Sequence, residues 1–124
     1  MTILVGYTQT AEGHAALRHG VDAASSTGKP LSIFPLAPEA DAAGDPELSS
    51  ATAAGATLLE PQREGAHPAE DLLDIAAETG ASLIVIGVRN RSRVSKLLMG
   101  SDAQRIILNS PVPVLTVRAA NDER

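Results

Sequence analysis

The chain has 124 residues, of which 44% are hydrophobic and 2% aromatic, with no cysteine and a formal net charge of −5. That length suits one folded domain, residues 1–124, with a core of Ala, Val, Leu and Ile. The missing cysteines exclude disulfides, thiolate zinc sites and thiol chemistry and fit the cytoplasm; an acidic whole argues against nucleic acid as partner, and the apolar runs are too short to span a membrane.

Residues 2–7 (TILVGY) read as a strand without the basic start of a signal peptide. Thr10 caps a helix from Ala11 to about Ala24, with Ala15, Ala16, Leu17, Val21 and Ala24 on its buried face. Gly20 weakens that helix locally. The run Ser25 to Pro30 is a stop signal, and Leu31–Leu36 is a second strand whose end Pro35 weakens. Residues 38–55 are small and acidic; they form either a mobile loop or a short helix over Pro46–Ala54, capped by Asp45 with Pro46 at the first position. Ala56–Gln62 is a third strand, kept short by Pro61.

Pro68 opens the clearest helix: Glu70 and Asp71 in the first turn, Leu72, Leu73, Ile75, Ala76 and Ala77 inside, and Gly80 just past the end. Leu83–Ile86, closed by Gly87, is the continuous apolar run of a strand buried on both faces. An arginine-rich loop follows. Ser101 then caps a helix, with Gln104 placed for a capping box, and Val112–Val117 is the last strand. Alternating strands and helices predict a parallel sheet with helices on both faces and right-handed crossovers.

Charge is unevenly spread. Residues 39–78 hold ten acids against Arg63 alone, whereas residues 89–118 hold Arg89, Arg91, Arg93, Lys96, Arg105 and Arg118 against Asp102. Open α/β sheets bind ligands outside the carboxyl ends of their strands, and N–H groups at a helix start favour phosphate. The basic loop therefore suits a small anion, or is a solvated loop that aids solubility. Phosphate- and dinucleotide-binding glycine fingerprints are missing from the sequence, as is a nucleophile elbow. His14 and His19 lie about 140° apart on a helix, poor geometry for a shared metal, and His67 stands exposed before Pro68. Glu70, Asp71, Asp74 and Glu78 read as a solvated helix face. Nucleophile, base and orienting group are nowhere assembled, so the chain reads as a non-enzyme with no metal site.

From Leu83 to Val117 the sequence resembles the universal stress protein family. The family signature, G-x2-G-x9-G-S/T, stands here as Gly87-Val88-Arg89-Asn90, nine residues, then Gly100-Ser101. Gln104–Ile107, Pro111–Leu115, Ile3–Gly6 and the approach from Ala76 to Gly87 are similar too, so the resemblance spans essentially the whole chain, with a shortened middle around residues 38–56. It implies a Rossmann-like α/β fold of the adenine nucleotide α-hydrolase-like kind: a five-stranded parallel sheet of order 3-2-1-4-5. It also implies a homodimer paired through Val112–Val117 and a regulatory, stress-response role. Some members bind ATP or AMP, with Mg²⁺ in the case of ATP. Carried over residue by residue, that site comprises Gly87, Asn90, Gly100, Ser101 and Asp102 around ribose and phosphates, Arg89 and Arg91 near phosphate, and Tyr7, Thr8 and Leu36 near the nucleoside.

Three residues depart from the pattern. Asn90 replaces the second glycine; it tolerates positive φ, but its side chain fills space. Thr8 replaces an aspartate aimed at the nucleoside and hydrogen-bonds more weakly than a carboxylate. Asp102 suits a helix start but repels a γ-phosphate. These leave open a member that binds no nucleotide and acts through dimerisation and partner contacts. A phosphoryl or adenylyl transferase on a related fold is disfavoured by the missing catalytic constellation.

Overall fold

Strands and helices alternate along the chain in the computed structural model, which describes residues 1–36, 44–59, 67–88 and 101–119. The order is β1 (Thr2–Tyr7), α1 (Ala11–Thr27), β2 (Leu31–Pro35), α2 (Pro46–Ala53), β3 (Thr57–Leu58), α3 (Pro68–Thr79), β4 (Ala81–Gly87), α4 (Ser101–Asn109) and β5 (Val114–Val117). The strands form one parallel sheet of order β3-β2-β1-β4-β5, the order the family resemblance implies.

β1 occupies the centre. Val5 sits opposite Ile33 of β2 on one side and Val85 of β4 on the other. Successive side chains of a strand point to opposite faces. Ile3, Val5 and Tyr7 thus enter a core shared with Ala15, Ala16 and Leu17 of α1 and Leu48 and Ala51 of α2. Leu4 enters the other core, with Leu72 and Ala76 of α3 and Ile106 of α4. Both faces are covered, which is why β1 and β4 read as unbroken apolar runs.

The helix boundaries follow local chemistry. The Thr10 hydroxyl accepts from Gly13 N–H at 3.0 Å, and Asp45 Oδ1 accepts from Leu48 N–H at 3.3 Å. α1 and α3 end on Gly28 and Gly80 in the left-handed region, at φ 70° and 65°, where a glycine carries no Cβ penalty. α1 runs on to Thr27 rather than stopping near Ala24, and the Thr27 hydroxyl donates to the Ala23 carbonyl at 2.7 Å. A Cβ at Gly20 would collide with the Val5 side chain. The residue that looks like a weak point of α1 is therefore where the helix comes close against β1.

The strand limits differ from the sequence reading at four places: β4 starts two residues earlier, at Ala81, and β2, β3 and β5 are shorter. β3 pairs only over Thr57–Leu58, with Leu59 N–H adding a bond to the Ile33 carbonyl at 2.9 Å; residues 60–62 lie outside the described residues. β2 ends at Pro35, which still holds register opposite Tyr7. β5 begins at Val114, not Val112. Pro111 and Pro113 have no N–H to give a ladder, and the Ser110 hydroxyl takes both the N–H and the carbonyl of Val112, at 3.1 and 2.7 Å. The short-helix alternative for Pro46–Ala54 is the one observed. The Ser101 side chain, and with it the expected capping box, lies outside what is described.

Leu4 is fully buried and Leu108 is 79% exposed. Leu4→Ala should lower the free energy of unfolding by roughly 2–5 kcal/mol, and Leu108→Ala should leave it within about 0.5 kcal/mol, both read from urea-unfolding midpoints.

Candidate functional site at the carboxyl ends of the strands

Strand order reverses between β1 and β4, so the connections leaving them run in opposite directions; in open α/β sheets this switch point, outside the carboxyl ends, is where the ligand crevice lies. Thr8 follows β1 at this point, Gly87 ends β4 with Val88 next after it, and Leu36 follows β2. Thr8 is half-buried, with Oγ1 2.8 Å from Thr10 Oγ1. A Cβ at Gly13 would collide with the Thr8 carbonyl, so α1 starts hard against this turn. Leu36 N–H donates to the Tyr7 carbonyl at 2.8 Å. Its side chain lies beside Gly6, where an added Cβ would stand 3.2 Å from Leu36 and 3.0 Å from Ile86.

The structure thus brings Thr8, Leu36 and Gly87 to one end of the sheet. Gly87 shows a specific reason for being glycine: a Cβ there would collide with the backbone carbonyl of Glu12. The close approach it permits on that side is with the first turn of α1. The Tyr7 side chain is fully buried and turned under α1 and α2, so it does not face the crevice. Ser101 begins α4, and Asp102 is exposed in its first turn. Arg89, Asn90, Arg91, Lys96 and Gly100 lie outside the described residues.

Behind the crevice lies a cluster in which only Asp45 has a role that the sequence suggests, as a helix cap. Asp45, 4% exposed, is the N-cap of α2. Its Oδ2 accepts from the Tyr7 hydroxyl and lies 3.2 Å from His14 Nε2. Glu47 Oε2 is 3.5 Å from His14 Nδ1, and Glu47 Oε1 is 2.7 Å from Arg18 Nη1. The Tyr7 and His14 rings meet edge to face, 5.7 Å between centroids. Burial pushes the Asp45 carboxyl up, but bonds from Tyr7, Leu48 N–H and His14 together hold it below the ordinary aspartate range. Burial, and then the Asp45 bond and charge, push the Tyr7 phenol well above its ordinary value. The sequence holds one signal for this cluster: a tyrosine at an inward strand position needs a partner for its hydroxyl. Spacing does not say which of many acids supplies it.

His67 is exposed, as expected from the sequence, and so is His19; no group of three or more metal-ligating side chains occurs among the described residues. Two cavities, of about 320 and 410 Å³, lie between α1 and α2 and share the small apolar residues Val21, Ala51 and Ala54. The larger one reaches the amino ends of β2 and β3, at Leu31 and Ala56; the smaller is lined only by α1 and by α2 with its cap residue Ala54. No described helix is long and apolar enough to cross a membrane.

The fold and crevice define a doubly wound, parallel α/β protein with its ligand position at a topological switch point. Comparison narrows this. A model of the universal stress protein family matches residues 36–118. A universal stress protein of Mycolicibacterium smegmatis is 34% identical over 94% of this chain and 96% of the relative. A universal stress protein from Thermus aquaticus is 42% identical over 52 residues, 42% of this chain and 38% of the relative. Among solved structures, a universal stress protein in complex with cAMP is 27% identical, with a TM-score of 0.71, covering 97% of this chain and 98% of that one. Another, from Archaeoglobus fulgidus, is 26% identical, with a TM-score of 0.69 over 94% of this chain and 96% of that one. The chain belongs to the universal stress protein family.

The buried Tyr7–Asp45 pair has two pH signatures. Asp45 holds its proton less tightly when folded, so its contribution to stability is complete above the ordinary aspartate pKa of about 3.9 and is lost as pH falls through the lower folded value. Tyr7 holds its proton more tightly when folded, so its contribution is complete below about pH 10 and is lost as pH rises toward the raised folded value. Urea unfolding against pH should show both slopes. Asp45→Asn should flatten the acid slope, and Tyr7→Phe the alkaline one.

Proposed function

We propose that the chain is a regulatory, non-catalytic module of the stress response that binds an adenine nucleotide in the crevice between β1 and β4. The observation that carries this reading is the switch point between β1 and β4, at whose carboxyl ends Thr8, Leu36 and Gly87 stand, in a chain alike over nearly its whole length to a universal stress protein in complex with cAMP. Universal stress proteins are generally non-enzymatic regulators.

The residues present fit an adenosine monophosphate better than a triphosphate. Thr8 offers a hydroxyl for a sugar oxygen, and the first-turn N–H groups of α4 suit a phosphate. Asp102, exposed in that same turn, stabilises the helix dipole and opposes additional phosphate charge. Gly87, Asn90, Gly100 and Ser101 would hold ribose and phosphate. Arg89 and Arg91 would neutralise phosphate, and Leu36 would line the nucleoside position. Mg²⁺ would accompany ATP only.

Dimerisation belongs to the same reading. β5 is an edge strand that pairs with β4 on one side, and it exposes Leu115 and Thr116. A second copy adding its own β5 would cover that edge. A second function reading, a dimeric interaction module without nucleotide, is favoured by Thr8 standing where nucleotide-binding members carry an aspartate.

Calorimetric titration with AMP, cyclic AMP and ATP–Mg²⁺ separates the two. The nucleotide reading expects saturable, micromolar binding of the monophosphates, weaker ATP binding, and a loss of about tenfold or more, equivalent to ~1.4 kcal/mol, on changing Arg89 to Ala or Gly100 to Val. Thr8→Asp should tighten binding. No heat with any of the three at high protein concentration would favour the module without nucleotide. Sedimentation should show a dimer that Thr116→Pro converts to monomer.

A further inference from the structure

The first turn of α1 is wedged against the ends of both β1 and β4, and two glycines show how closely. A Cβ at Gly13 would collide with the carbonyl of Thr8, the residue after β1. A Cβ at Gly87, the last residue of β4, would collide with the carbonyl of Glu12 and stand 3.0 Å from the Glu12 Cβ. The Glu12–Gly13 peptide therefore lies across the switch point, and the Glu12 side chain starts beside Gly87.

Glu12 is half-buried. Among the described residues, no donor or cation pairs with its carboxylate. A carboxylate taken partly out of water needs donors, and the positive end of the α1 dipole supplies only a fraction of a charge. Its capacity to accept is unspent.

The order of elements along the crevice says which donors would meet it. Leu36 follows β2, Thr8 follows β1, Gly87 ends β4, and α4 begins beyond β4. In the nucleotide reading Leu36 lines the nucleoside and the start of α4 takes the phosphate. The sugar then falls between them, over the ends of β1 and β4, where Thr8 and Glu12 stand. Ribose hydroxyls are donors, and a carboxylate only accepts. The Thr8 hydroxyl already shares a hydrogen bond with Thr10, at 2.8 Å.

We propose that Glu12 is a sugar-binding residue: its carboxylate accepts from the ribose hydroxyls of the bound nucleotide, supplying from α1 the strong acceptor that a threonine at position 8 does not. The proposal rests on the nucleotide reading and adds a specificity to it, for nucleotides with free ribose hydroxyls. A carboxylate in a first helical turn also steadies the helix dipole, but that role is blind to the sugar.

Calorimetric titration of the full chain with AMP and with 2′,3′-dideoxy-AMP, which differ only in the ribose hydroxyls, tests this. The unaltered chain should bind AMP at least about tenfold more tightly, the scale of a hydrogen bond to a charged group. Glu12→Ala should cut that ratio at least about threefold. Glu12→Gln, which keeps a neutral acceptor, should cut it less. Asp102→Asn, exposed at the phosphate end, should tighten both ligands alike and keep the ratio. Equal affinity for the two nucleotides in the unaltered chain would overturn the proposal. So would a ratio that Glu12→Ala leaves unchanged, or, if that variant does not fold, one that Glu12→Gln leaves unchanged. In these cases AMP still binds, and the nucleotide reading stands. Binding of neither nucleotide at millimolar concentration removes that reading, and the role of Glu12 with it.

Discussion

Everything at the carboxyl end of the sheet is fixed by β1, which is paired on both edges and buried on both faces. A strand so confined has no freedom of register. A slip of one residue would send Ile3, Val5 and Tyr7 into the α3–α4 core and Leu4 and Gly6 into the other. Its last residues then have assigned tasks. Gly6 leaves room for Leu36, Ile86 and Leu72 on one face. Tyr7 goes to the opposite face. Thr8 emerges at the switch point between β1 and β4.

Tyr7 is also where polarity enters the core. A buried phenol requires an acceptor, and a buried carboxylate requires donors. Asp45 and Tyr7 meet both needs across 38 residues of sequence. Leu48 N–H supplies a donor, and His14 stands on the other side of the same carboxyl. Removing one partner of such a group costs more than the bond is worth, because the other is left buried and unpaired. The network therefore sets where α2 can sit: two short turns of helix, anchored by Leu48 and Ala51, held over the end of β1.

Much of this fold is legible in the sequence because its rules are local. Pro68 and Gly80 bracket α3, Asp45 and Pro46 start α2, and Leu83–Ile86 marks a strand with two covered faces. What local rules miss is long-range pairing. The acid chosen by Tyr7, the collision that requires glycine at position 87, and the closeness of Gly20 to Val5 depend on elements brought together only by the fold. Ser110 illustrates a smaller failure: its hydroxyl binds Val112 on both sides and delays β5 to Val114, which an apolar run starting at Val112 does not reveal. Of the candidate site, Thr8, Leu36 and Gly87 follow from motif positions and gather at one end of the sheet. The family resemblance puts Tyr7 near the nucleoside, but its side chain is engaged with Asp45 instead.

Whether the crevice between β1 and β4 receives an adenine nucleotide is most directly measured by mapping backbone amide NMR shifts as AMP is added to the isotope-labelled chain. A nucleotide in the crevice produces saturable shifts centred on Thr8, Leu36, Gly87, Val88 and the first turn of α4, with the α1–α2 cavities unaffected. Shifts confined to those cavities, or spectra unchanged at millimolar AMP, would contradict it.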